Sequence, residues 1–150
     1  MNLKHIAAAK RLLAHWSPTR LDHLLEESEI KMSRALEYIM PNNIKVTSVQ
    51  LSLRAEASFK ECISMIVDHL NEAVGEGSQL IVFPEYIGLL PLLSSPTLFD
   101  LCYQFSEDLL NREEQAIQDG LRFYSKYLAQ PLLESYCRFF SLLAIKSSIY

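Results

Sequence analysis

The 150-residue chain has no dense block of lysine and arginine, and no apolar run approaches the length of a membrane span. Its formal net charge is −4, so no nucleic acid and no membrane surface is expected as its main partner. Cysteine is sparse. Cys62, Cys102 and Cys137 are odd in number, far apart, and outside any CxxC or Cys/His metal-ligand spacing. No metal and no cofactor is therefore expected. Unpaired thiols fit a reducing compartment, and a cytoplasmic location is expected. Internal repeats and low-complexity segments are absent. There is no Gly-x-Ser-x-Gly elbow, so Ser147 and Ser148 beside Lys146 lack the anchor of a Ser–Lys nucleophile. His5, His15, His23 and His69 have no partner spacing and read as solvated or packing residues. Residues 1–16 lack the continuous apolar core of a secretory signal. They are basic and amphipathic, through Lys4, Lys10 and Arg11, like a mitochondrial transit peptide but poor in serine; such helices are common in cytosolic proteins.

What the chain does have is one short apolar run that ends in a breaker and an acid, residues 79–86 (QLIVFPEY). Four apolar residues in a row, Leu80 to Phe83, predict a strand buried on both faces. Pro84 cannot donate to a ladder, so the strand stops there and Glu85 falls just past its carboxyl end. In open parallel α/β sheets the chemistry gathers at that end. Glu85 is the candidate site residue; the plain alternative is a surface carboxylate that steadies a turn. Upstream, residues 44–51 (IKVTSVQL) are β-rich and follow the breaker Pro41-Asn42-Asn43, which predicts a strand. Between the two, residues 55–74 predict an amphipathic helix with Phe59, Cys62, Ile63, Ile66, Val67, Leu70 and Val74 on one face. Gly75 stands where a left-handed C-cap is wanted. Strand, one-sided helix, strand is a βαβ unit with parallel pairing.

Residues 1–43 predict a helical N-terminal extension. Leu3, Ile6, Ala7 and Leu13 mark a first helix, and Trp16 serves as a hydrophobic staple for the next. Ser17-Pro18 supplies an N-cap and a first helical position, followed by a stripe of Leu21, Leu24, Leu25, Met32, Leu36 and Ile39. This apolar face must cover either the following domain or another subunit. Beyond Glu85, residues 86–96 predict a loop, and Thr97 caps a helix striped by Leu98, Leu101, Cys102, Phe105 and Leu109. Residues 111–130 predict a further helix that Gly120 weakens. Pro131 opens another to Phe139, and residues 142–150 (LLAIKSSIY) read as a third strand. All three cysteines fall within predicted helices and read as buried thiols rather than nucleophiles. The aromatic residues of 123–140 read as core or interface.

A strand ending in Val49-Gln50, a crossover helix, a glycine turn and then Leu80-Ile81-Val82-Phe83-Pro84-Glu85 together resemble the nitrilase (carbon–nitrogen hydrolase) superfamily. The resemblance covers residues 44–150 and is specific over 44–86. It implies an α/β fold, here part of an α-β-β-α sandwich, with residues 44–150 as the incomplete N-terminal portion of the domain. It also implies a Glu-Lys-Cys mechanism on a small-molecule amide or nitrile: cysteine attacks the carbon, lysine stabilises developing negative charge, and glutamate is the general base. Only the glutamate has a counterpart here, Glu85. The family closes its next strand with Gly-Ser; Ser147 and Ser148 stand at those positions, so the glycine is missing. Lys146 comes too early to be the family's lysine, which with the cysteine is expected in sequence past Tyr150. The chain alone is accordingly expected to be inactive. The alternative is a non-catalytic interaction module, or a degenerate hydrolase half that associates with a partner, and a homo-oligomer is possible under either reading.

Overall fold

The computed structural model describes residues 3–32, 44–51 and 58–149. The described chain is mostly helical, with a small parallel sheet: α1 (Leu3–His15), α2 (Pro18–Glu27), β1 (Val46–Ser48), α3 (Phe59–Gly75), β2 (Leu80–Val82), a 3-10 turn (Glu85–Leu89), α4 (Leu90–Leu93), α5 (Pro96–Asn111), α6 (Glu114–Tyr124), a π turn (Ser125–Ala129) and α7 (Gln130–Ser147). No helix among the described residues is long and apolar enough to cross a membrane.

The strand–helix–strand unit forms as its pattern predicts. β1 and β2 are parallel, with Val46 opposite Leu80, Thr47 opposite Ile81 and Ser48 opposite Val82. Two further backbone bonds continue the ladder, from Gln79 N–H to Lys45 O at 2.9 Å and from Val49 N–H to Val82 O at 2.8 Å. α3 starts at a complete capping box: the Ser58 hydroxyl accepts from Glu61 N–H, and the Glu61 carboxylate accepts from Ser58 N–H at 2.6 Å. The helix buries Phe59, Cys62, Ile63, Ile66, Val67, Leu70 and Ala73, the stripe its spacing predicts but for Val74, which is only partly buried. Residues 55–57 of the predicted helix lie outside the described residues. The left-handed residue after α3 is Gly77 (φ 78°), not Gly75. Bonds from Gly77 N–H to Val74 O and from Ser78 N–H to Ala73 O make this a Schellman end, which sets the left-handed position two residues later.

Several expectations are overturned. β2 is not buried on both faces: Val82 is 45 % exposed and the sheet has two strands among the described residues. Residues 85–93 are a 3-10 turn and a short helix rather than a loop. The residue before α5 is Ser95, with Pro96 in the first turn, so Thr97 lies inside the helix. The predicted third strand does not form: residues 142–147 continue α7, and Ser147 is its last residue. Leu132, Ser135, Phe139, Leu143 and Ser147 are buried at steps of three and four, while Ile145 is exposed. That helical period outweighs the β-propensity of a short apolar segment. The two buried serines bond back to carbonyls one turn earlier, Ser135 to Pro131 at 3.0 Å and Ser147 to Leu143 at 2.7 Å. The π turn falls just ahead of Pro131, whose ring would collide with the carbonyl of residue 127 in a regular helix.

In α1 the buried residues are Ala9 and Leu12, with Ile6 and Leu13 beside them; Leu3 and Ala7 face out. α2 ends at Glu27, and Met32 is exposed. Leu36, Ile39 and residues 41–43 lie outside the described residues. α1 and α2 cover the domain that follows them. Trp16 is fully buried against Phe59 of α3 and Tyr136 and Phe139 of α7, at ring distances of 4.9, 5.8 and 6.3 Å. Its role thus extends beyond a local staple. Across the surface Arg138 of α7 grips Asp22 of α2 in a bidentate pair at 3.0 and 2.9 Å. Gly120 is a requirement rather than a weakness: a Cβ there would stand 2.6 Å from the Phe105 ring, so its absence lets α5 and α6 approach.

Two outcomes follow. Trp16→Ala should cost about 3–5 kcal/mol in denaturant unfolding, whereas Ser58→Ala should cost about 1 kcal/mol. Arg138 holds the Asp22 carboxyl below its ordinary value, first by hydrogen bonding. A depressed acid contributes stability above its unfolded pKa of about 4 and loses it as pH falls through the folded value. The stability gap between wild type and Asp22→Asn should therefore close below about pH 4.

Candidate functional site

The sheet delivers Glu85 where the sequence predicts. β2 stops at Val82, Phe83 is half-buried, and Pro84 is extended (φ −68°, ψ 154°). Glu85 then opens the 3-10 turn, closed by Ile87 N–H to Pro84 O at 3.0 Å. Its carboxylate is exposed at the carboxyl end of the strand. Among the described residues no lysine or arginine forms an ion pair with it.

The turn is held from the other side by α7. The Tyr136 hydroxyl donates to Gly88 O at 2.6 Å and lies 3.3 Å from Ile87 O. Its ring is packed between Trp16 and Phe140, and Phe140 in turn meets Phe83 at 5.7 Å. Burial, then Tyr124 and Cys62, push the Tyr136 phenol far above its ordinary pKa, so it is a fixed donor rather than an acid. Tyr136 escaped the sequence reading as an individual. It belongs to the aromatic run of 123–140, but nothing in one sequence shows that its hydroxyl meets carbonyls 48 residues away.

The cysteines separate by environment. Cys62 is buried, its thiol pushed up to about 11 by desolvation and by Glu61, with its sulfur 3.8 Å from Leu90 O. Burial likewise raises Cys102. Neither is an activated nucleophile. Cys137 is exposed, against the expectation of a buried thiol; its position on α7 falls between the buried Ser135 and Phe139. Ser147 is buried, and Ser148 caps α7 in a left-handed conformation (φ 54°), so neither stands at a strand end. Of the histidines, His23 and His69 lie near Glu27 and Glu72 at 3.6 and 3.7 Å, and His15 packs on Phe59. No group of three potential metal ligands occurs among the described residues.

Fold and site together define a mostly helical α/β chain in which a parallel strand pair presents one carboxylate. No family model matches the chain, and no curated protein or solved structure matches it either.

Thiol accessibility should follow the burial. Titration of the native protein with Ellman's reagent should show one fast thiol, removed by Cys137→Ser, while Cys62 reacts only on unfolding. Equal rates at the two positions would contradict this environment for Cys62.

Proposed function

We propose that the chain is the N-terminal part of a nitrilase-like hydrolase acting on non-peptide carbon–nitrogen bonds, with Glu85 as its general base. The observation that carries the reading is the parallel β1–α3–β2 unit with Glu85 three residues past the last strand residue, at the start of the turn that follows. A general base must reach a proton beside the reacting carbon, and the exposure of the Glu85 carboxylate on a turn anchored by Tyr136 supports that role. A second feature supports a layered sandwich. Ile81 packs on the core while Val46, Ser48 and Val82 on the opposite face are exposed, Val46 by 50 % and Val82 by 45 %. A sheet with one bare apolar face requires another layer. The absent third strand weighs against the α-β-β-α arrangement for residues 142–147 as folded here.

In this reading the lysine and the cysteine nucleophile lie in sequence past Tyr150, and the substrate is a small amide or nitrile. The cysteine sulfur bonds to the carbon as Glu85 accepts its proton. With an amide the C–N bond then breaks and Glu85 returns the proton to the departing amine. A nitrile instead gives a thioimidate, from which water displaces ammonia. In both cases water, deprotonated by Glu85, attacks the thioester to release the acid and restore the thiol. The 150 residues alone should hydrolyse neither class of substrate. A longer chain continued from the same coding sequence should do so, and Glu85→Gln in it should lower kcat by about 10²–10⁴-fold with unchanged circular dichroism. Undiminished turnover would overturn the role of Glu85. Downstream sequence without a lysine and a strand-end cysteine would overturn the enzyme.

The bare sheet face also favours the second reading, a non-catalytic module or degenerate hydrolase half that associates with a partner or a second copy. Val82→Asp would then shift the mass measured by light scattering toward monomer. An unchanged mass would remove this reading.

A further inference from the structure

We propose that the exposed face of α1 docks the protein onto an anionic lipid membrane, lying on the surface without crossing it. The face consists of Leu3, Lys4, Ala7, Lys10, Arg11 and Ala14, all exposed. The opposite face of α1, through Ala9 and Leu12, is buried in the core. No residue of the sheet or of the Glu85 turn belongs to this surface, so it stands apart from the role given to Glu85.

The first observation is how charge is distributed. The net charge of −4 averages two unequal parts of the sequence. Residues 1–21 hold Lys4, Lys10, Arg11 and Arg20 and no acid, a charge of +4. The other 10 of the 14 lysines and arginines stand against all 18 acids, which leaves −8 on residues 22–150. Folding places all four of these basic side chains on the surface. Among the described residues Lys10, Arg11 and Arg20 form no ion pair. Asp22, the first acid along the chain, is taken up by Arg138. Arg20 lies over the Phe59 ring, which His15 at the end of α1 also contacts, so the basic patch continues onto α2. Exposed charges further away than a Debye length, about 8 Å at physiological salt, are largely screened. A local patch therefore governs contact with a surface more than the mean charge does.

The second observation is the layout of the face. A helix turns about 100° per residue, so Leu3, Ala7 and Ala14 fall along one line. Lys10 stands to one side of that line, and Lys4 and Arg11 to the other. Leu3 is 82 % exposed. A line of alanines lets the helix lie against a flat surface, and Leu3 reaches the edge of the acyl region. The long basic side chains on both flanks then turn outward to the headgroups.

The third is what the face lacks. α1 has no Phe, Tyr or Trp on which a base could stack, and no Asn, Gln, Ser or Thr to read one. That composition disfavours a nucleic acid. Alanine and lysine are also depleted where proteins meet proteins, and the aromatic anchors of such interfaces are missing here. A fluid layer of anionic headgroups asks for charge and flatness rather than matched shape, and α1 offers those two.

The test is co-sedimentation of the full chain with phosphatidylcholine vesicles that carry about 30 % phosphatidylserine or none, in about 0.1 M NaCl. The chain should partition onto the anionic vesicles and not measurably onto phosphatidylcholine alone, and about 0.5 M NaCl should release it. Each basic residue contributes about fivefold to such binding, so Lys10→Gln/Arg11→Gln should weaken it about 25-fold. Lys31, beside Asn71, and Arg112, at the end of α5, lie outside the patch. Lys31→Gln/Arg112→Gln removes the same charge and should leave binding within about twofold. Leu3→Ser should weaken it about tenfold, the burial of one leucine. All these side chains are exposed, so circular dichroism should stay unchanged. No binding to the anionic vesicles, equal binding to both kinds, or an equal loss in the two double variants would overturn the proposal. An ineffective Leu3→Ser would do the same. So would binding of an oligothymidine or of poly-glutamate as tight as that of the vesicles, which would assign the patch to polyanions in general.

Discussion

The burial of Trp16 is the constraint on which the other contacts depend. This residue ends α1 and precedes α2, and its ring meets Phe59 at the start of α3 and Tyr136 and Phe139 in the middle of α7. Four helices converge on one side chain. Its indole N–H is buried without a partner, which costs about 1–3 kcal/mol. Removing about 200 Å² of aromatic surface from water gains about 5 kcal/mol, so burial wins. The unpaired donor is tolerated because the gain from burying the ring among Phe59, Tyr136 and Phe139 exceeds its penalty.

From that cluster a chain of contacts runs to the sheet. Tyr136 leans on Trp16 with its ring and reaches the carbonyls of Ile87 and Gly88 with its hydroxyl. Those carbonyls belong to the turn that begins at Glu85. Phe140, one helical turn along, stacks on Tyr136 and contacts Phe83 just before the turn. The backbone around Glu85 is therefore held from the strand side by the ladder and from the helix side by Tyr136 and Phe140, while its side chain is exposed. A rigid mount with an exposed head suits a group that must meet a substrate or a partner.

How much of this was legible varies by element, for physical reasons. The β1–α3–β2 unit was, because the apolar stripe of α3 and the β-rich segments on either side of it are clear, although the left-handed turn residue is Gly77 rather than Gly75. The capping box at Ser58 and Glu61 was present as Ser-Phe-Lys-Glu before an apolar run, and passed unnoticed beside the stronger stripe. Among the misread segments is 142–147. Leu-Leu-Ala-Ile is a run of four apolar residues ahead of Lys146 and Ser147, and periodicity over so few residues cannot separate a buried strand from a helix. What separates them is continuity with Leu132, Ser135 and Phe139, which requires reading the buried serines as small core residues. The Glu85 position was legible from Pro84 alone. Its anchor was not, since a tyrosine hydroxyl bonded to carbonyls 48 residues away leaves no local signature.

The bare face of the sheet remains the strongest physical demand the chain makes on its surroundings. A parallel pair of three-residue strands is marginal by itself, and here one face is served by Ile81 against the core and by the Thr47–Ser78 hydroxyl contact. The other face leaves Val46 and Val82 half in water, with Ile44 beside them more exposed still. Parallel sheets are normally covered on both faces because their strands are apolar on both. Val46 and Val82 are β-branched residues suited to packing, not to solvent. This face adjoins the strand exit, since Val82 is three residues before Glu85. The layer that completes the sheet and the groups that would use the carboxylate are thus one structural question.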